Sequence, residues 1–185
     1  MFIRLLAKKR ISNITINEIC TCSGINRSTF YHHYTDIYSL FDQMQSEMRN
    51  MAYQAYLKPV EDGYRPFSKI CFQNLFQHIL DYCTYYTILL NHQENCEIVD
   101  ILAYGTDHGM DIQPLIQVVK LESGDEEFFR SVYFKGGLNA IIRHWISTGY
   151  RIIPEKLAYF MEKEYQYEVA QIEYKLVFKE NYIER

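Results

Sequence analysis

Glycine and proline are scarce in this chain, with eight and four residues among 185. So few backbone breakers favour helices joined by short turns, and strand-like alternation of useful length is missing too. No apolar run approaches the roughly 20 residues that a membrane-spanning helix needs. The apolar start, Met1 to Leu6 interrupted by Arg4, is too short for a signal peptide and lacks a cleavage site, so a cytoplasmic home is expected. Cys20, Cys22, Cys71, Cys83 and Cys96 form an odd set without regular spacing, which excludes a disulfide framework and suits a reducing compartment. Catalytic signatures are lacking as well. There is no glycine-rich phosphate loop, nucleophile elbow or metal-protease helix, so no enzyme and no cofactor are expected. His78, Cys83, His92, Cys96 and His108 follow no metal-ligand spacing, and no metal site is expected. The carboxylates from Glu122 to Glu127 read as a solvated turn.

What the chain does contain is apolar and aromatic bulk. Hydrophobic residues make up 48% and charged ones 23%, with 17 Tyr and 11 Phe, enough for an ordinary globular core. The net charge of −4 alone argues against a nucleic-acid binder, but its distribution argues the other way. Residues 1–35 carry Arg4, Lys8, Lys9, Arg10 and Arg27 against Glu18 alone, a net of +4, which leaves −8 on the other 150 residues. A basic head on an acidic body suits a protein that meets phosphate at one end only. Chance clustering accounts for the charges equally well until the motifs are considered.

The spacing predicts a helix over residues 2–10, with Phe2, Ile3, Leu5 and Leu6 on its apolar side and a basic end, broken by Ser12 and Asn13. Thr15 then makes a good N-cap, and Glu18 three residues on completes a capping box. Ile16, Ile19 and Cys20 share one face of that helix, and Gly24 occupies a left-handed C-cap position. Asn26 can cap the next helix, Arg27 to Tyr34, whose inward face is Phe30 and Tyr34. Arg27, Ser28, Thr29, Tyr31, His32 and His33 are left outside. Two short helices around a glycine-containing turn make a helix-turn-helix, and the second helix carries the donors, aromatics and neutral or cationic groups that a major groove requires.

Further on, helices are expected over Tyr38 to Leu57, Ser68 to Tyr82 and Tyr85 to Leu90, with a loop marked by Pro59, Gly63 and Pro66. Residues 97–121 suggest two helices interrupted around Thr106 to Gly109. A strong helix is expected over 126–148, with Phe129, Val132, Tyr133, Gly136, Gly137, Ala140, Ile141, His144 and Trp145 in one broad stripe. Gly149 stops it, and Pro154 opens another helix carrying Leu157, Ala158, Phe160 and Met161. Residues 165–185 keep a helical character.

The segment Ile14 to Phe41, ITINEICTCSGINRSTFYHHYTDIYSLF, resembles the DNA-binding head of the TetR family. The resemblance rests on Thr15, Ile19, the small trio Cys20, Cys22 and Ser23, Gly24–Ile25, Tyr31 with Tyr34, and Leu40. Gly136–Gly137, Trp145, Gly149 and Pro154 are similar to the last two helices of the family branch related to dihydroxyacetone-kinase regulators. Residues 42–125 match only in being helical. Three departures stand out. The head is short before Arg4, Ile37 stands where a phosphate-contacting Lys is common, and the chain after Glu164 is longer than usual.

The resemblance implies an all-α chain with a three-helix DNA-binding domain, 1–43, and a helical regulatory and dimerisation domain, 44–185. It implies a homodimeric regulator, a repressor first, that binds a near-palindromic operator in double-stranded DNA; release by a small-molecule effector is common in the family, though some members regulate without one. Arg27 is the candidate for base contact, with phosphate contact alone as its plainer role. Ser28 and Thr29 would reach bases or phosphate, and His32 would touch bases or merely cover the helix end. Tyr31 and His33 would clamp phosphate, and Thr15 and Asn26 would combine capping with contact, although capping alone suffices to explain Thr15. The dimer interface would draw on Phe129, Tyr133, Gly136, Gly137, Ala140, Ile141, His144, Trp145, Leu157, Phe160 and Met161. Phe30, Ile16, Ile19, Ile25 and Leu40 are expected in the core, and Cys20 and Cys22 in packing positions. The aromatics of residues 53–104 could line an effector pocket or simply fill a core. The alternative to an operator-binding protein is a helical co-regulator that acts through a protein partner.

Overall fold

The computed structural model describes residues 1–65, 67–92 and 124–165. Every regular element among them is helical, as the shortage of glycine and proline implies. The order is α1 (Phe2–Leu6), a 3₁₀ turn (Ile11–Asn13), α2 (Ile16–Ser23), α3 (Arg27–His33), α4 (Ile37–Glu61), α5 (Lys69–Asp81), α6 (Cys83–His92), α7 (Gly124–Ser147) and α8 (residues 154–165). The helices expected over 97–121 and the chain beyond residue 165 lie outside the described residues. No helix among the described residues is long and apolar enough to cross a membrane.

Local chemistry explains most of the boundaries. Thr15 caps α2 with a complete capping box, and Gly24 ends it at φ +69, a conformation that costs a side-chain-bearing residue about 1–2 kcal/mol. Asp36 and Ser39 form a second capping box that starts α4 one residue before Tyr38. α4 also runs past Pro59, where the sequence suggests a loop. Proline lacks only its own N–H, so near a helix end it removes one hydrogen bond, and here its carbonyl accepts from Tyr64 N–H to close the turn. α1 is shorter than expected. It stops at Leu6, and Lys9 turns aside to pair with Glu18 at the start of α2.

The buried residues form one cluster from Phe2 to Met161. Phe2 meets Phe41 edge-on at 6.2 Å, and α1 also lies against α6. Among the described helices α4 and α5 pack most extensively, burying Tyr56, Phe72, Leu75 and Phe76 completely. Tyr53, Tyr56, Phe72, Phe76, Tyr85 and Tyr86 are core, whereas Tyr64 and Tyr82 of the same stretch are exposed. The Tyr56 hydroxyl accepts from the Phe67 N–H at 3.1 Å, and burial pushes its pKa well above the ordinary tyrosine range. Phe67 sits at φ +60 without being glycine, and its ring stacks on Tyr165 with centroids 3.9 Å apart.

α8 is tied down at both ends. A two-bond turn ends α7: Gly149 (φ +75) donates to Ile146 O and Tyr150 to Trp145 O. The Tyr150 hydroxyl donates to Cys83 O at 3.0 Å and lies 3.0 Å from the Thr87 hydroxyl, holding this turn on α6. Ser68 gives α5 no side-chain cap. Glu162 of α8 supplies the acceptor instead, taking Lys69 N–H at 2.7 Å, while Glu155 pairs with the Lys69 ammonium.

Candidate nucleic-acid interface

α2 and α3 present opposite chemistry on their two sides. Ile19, Cys20 and Phe30 are buried, and Phe30 at 1% exposure is the single anchor of α3. Its ring meets Tyr34 at 5.5 Å, and Tyr34 is half-buried at the helix end. Arg27, Ser28, Thr29, Tyr31, His32 and His33 are all exposed, so one short helix displays six of the eight expected contact residues; Asn26 at its cap and Thr15 at the start of α2 are exposed too.

Hydrogen bonds define what these residues can still offer. Asn26 Oδ1 accepts from Thr29 N–H at 2.7 Å, from the Ser28 hydroxyl at 2.6 Å and from the Thr29 hydroxyl at 2.8 Å. Ser28 and Thr29 thus point their protons at the cap and retain lone pairs for an outside donor. Thr15 is equally occupied. Its hydroxyl accepts from Glu18 N–H and donates to Glu18 Oε2, so capping uses the proton that a phosphate bond would require. Arg27 Nη2 lies 3.5 Å from the Tyr31 hydroxyl, with its guanidinium 6.0 Å from the ring centre. His32 and His33 meet edge-on at 5.1 Å.

The basic residues of the head separate into Lys9, held in an ion pair, and four exposed groups, of which Arg27 touches Tyr31. Lys9 donates to Glu18, which also accepts from Thr15 N–H, and these bonds hold the exposed Glu18 carboxyl down at about 2. Arg4, Lys8, Arg10 and Arg27 remain exposed. Lys8 and Arg10, on either side of Lys9, count in the basic head but not among the individual contact residues expected from the sequence, and their exposure adds them to the candidate phosphate contacts. Two packing expectations need correction. Ile25 is 39% exposed, because it follows the left-handed Gly24 and leaves the buried face; Cys22 is exposed because it lies two residues from buried Cys20, across the helix. Ile37 is half-buried at the start of α4, as are Ile16 and Leu40.

The expected interface stripe divides in two. Tyr133, Gly136, Gly137, Ala140 and His144 are exposed along α7, Ile141 is half-buried, and Phe160 is exposed on α8. Trp145, Leu157 and Met161 are buried in the chain's own core, so they support such a face from beneath and cannot form it. Trp145 packs edge-on against Phe76 and donates its indole N–H to Ile152 O at 2.7 Å. The Phe129 side chain lies outside the described residues. Among the described residues, nothing stands within 4 Å of a Cβ built at Gly136 or Gly137, so no described neighbour requires either glycine.

His78 of α5 is 8% exposed, its ring 4.8 Å from Tyr82 and 6.1 Å from Tyr86. Burial holds its pKa below the ordinary histidine value, with Asp81 opposing, and its Nε2 has no hydrogen-bond partner among the described residues. Cys83 is half-buried, while the side chain of His92 and the whole of Cys96 and His108 lie outside the described residues. No family model matches the chain, and no curated protein matches it.

Proposed function

We propose that this chain is a TetR-like transcriptional regulator, a repressor that binds a near-palindromic operator as a homodimer. The observation that carries the reading is α3, in which one buried phenylalanine leaves six contact-ready side chains on a single exposed helix. The helix would enter the major groove, with Arg27 reaching base edges and Arg4, Lys8 and Arg10 meeting phosphate. The acidic remainder of the chain would be turned away from DNA by its own charge.

A second copy would dock on the exposed strip of α7 and on α8. Glycine inside a helix costs about 1 kcal/mol relative to alanine. Gly136 and Gly137 carry that cost with no close neighbour among the described residues, and a close partner helix would give it a use. Two-fold symmetry then sets two recognition helices about one helical turn of DNA apart, near 34 Å. A small-molecule effector that binds better to a splayed dimer would release the operator, limited by its differential affinity for the two states.

The test is binding of the purified protein to DNA fragments from around its own gene, across a salt series, beside the Arg27→Ala, Tyr31→Ala double variant. Selective binding that falls steeply with salt and disappears in the variant is expected. A folded dimer without selective binding would sink the operator reading. It would favour a co-regulator acting through a protein partner, to which half-buried Ile37, offering no phosphate contact at the start of α4, is better suited.

A further inference from the structure

Guanine shows two acceptors, O6 and N7, on its major-groove edge, and two donors in a fixed fork read it best. Donors are few at the start of α3. The Ser28 and Thr29 hydroxyls both donate to Asn26, so their protons are committed within the turn. Asn26 keeps its side-chain NH2, but Arg27 is the exposed residue there that carries a fork of donors, and it takes part in neither the Lys9–Glu18 nor the Lys69–Glu155 ion pair. An arginine on an open surface samples many rotamers, and fixing one of them opposes binding. Tyr31, one turn along the same helix, narrows that choice. Its hydroxyl lies 3.5 Å from Arg27 Nη2, and its ring lies 6.0 Å from the guanidinium carbon. A guanidinium has five N–H donors, so one shared with Tyr31 leaves a bidentate pair for a base.

We propose that Tyr31 is the positioning residue for Arg27, and that the pair reads one guanine in each operator half-site. The inference rests on the DNA-binding reading and adds to it a base and a division of labour. Arg27 touches the base, and Tyr31 acts through Arg27. Losing a tyrosine that merely clamped phosphate would instead weaken binding to every sequence alike.

The experiment selects preferred duplexes for the wild-type protein from a randomised double-stranded DNA library. It then measures affinity for every single-base change in the half-site with Arg27→Ala, Tyr31→Phe and the double variant. Both residues are exposed, and thermal melts check that each variant is folded. The selected half-site should contain an invariant guanine. Arg27→Ala should lower the preference for it about tenfold or more, and Tyr31→Phe about threefold, with other positions unchanged. With Arg27→Ala already present, Tyr31→Phe should leave that preference as it is. The proposal is overturned if Tyr31→Phe weakens all duplexes equally, if its effect persists without Arg27, or if the selected sites share no guanine. Failure of the wild-type protein to select any sequence is a separate result and removes the operator reading itself.

Discussion

Glu18 is the most heavily used side chain of the head. It accepts from the Lys9 ammonium, from Thr15 N–H and from the Thr15 hydroxyl, and its own N–H donates back to Thr15. The Lys9 hydrogen bond is the largest cause of its lowered pKa, followed by the bonds from Thr15. The folded-state value lies near 2, below the 4.5 of an unperturbed glutamate. Its contribution to stability is therefore complete above the unfolded value and is lost as pH falls through the folded one. The stability advantage of wild type over Glu18→Gln should hold at neutral pH and vanish progressively between about pH 5 and pH 2. Thermal melts of the two proteins across that range check it, and an advantage that persists at the acid end would show that Lys9 is not its source. The exposure of the group makes the effect modest and sensitive to salt.

At the scale of the helix, legibility in the sequence followed the range of the interactions. Thr15 with Glu18 and Gly24 are local signals, and α2 has the boundaries they imply. The capping pair Asp36 and Ser39 is equally local, yet Ser39 lacks the Glu or Gln of the usual box, and α4 starts one residue earlier than expected. Glu162 capping α5 could not be read in advance, because the cap arrives from 93 residues away. The same limit governs the contact surfaces. Periodicity groups Trp145 with His144, but only tertiary packing decides that the indole turns inward and the imidazole outward. The exposed face of α3 was legible because seven residues leave room for one buried anchor. Gly136 and Gly137 provide a test with opposite signs. Replacing both by alanine should stabilise the helix by about 1 kcal/mol per site, since each Cβ enters open space. The same change should weaken self-association if a second helix rests there. Melts at low protein concentration and sedimentation at high concentration separate the two effects, and a dimer untouched by both alanines would locate the interface elsewhere.

Across the whole molecule, the N-terminal helices share a core with the rest of the chain. Phe2 touches Phe41, α1 lies on α6, and the cluster continues to Met161. Phe2→Ala should cost about 3 kcal/mol, as core phenylalanine truncations do, and should lower the melting temperature of the described helices together. Two well-separated transitions in the wild-type protein would show that the head melts as an independent unit. The chain is also equipped to report on itself by light. Trp145 is its single tryptophan, buried where α5, α7 and the turn before α8 meet, with Phe76 and Tyr150 against its ring. Its emission should be blue-shifted in the folded protein and move to the red when this junction opens. Because the indole is buried, a collisional quencher in solution should reach it only once that junction has opened, so opening can be followed without any attached dye.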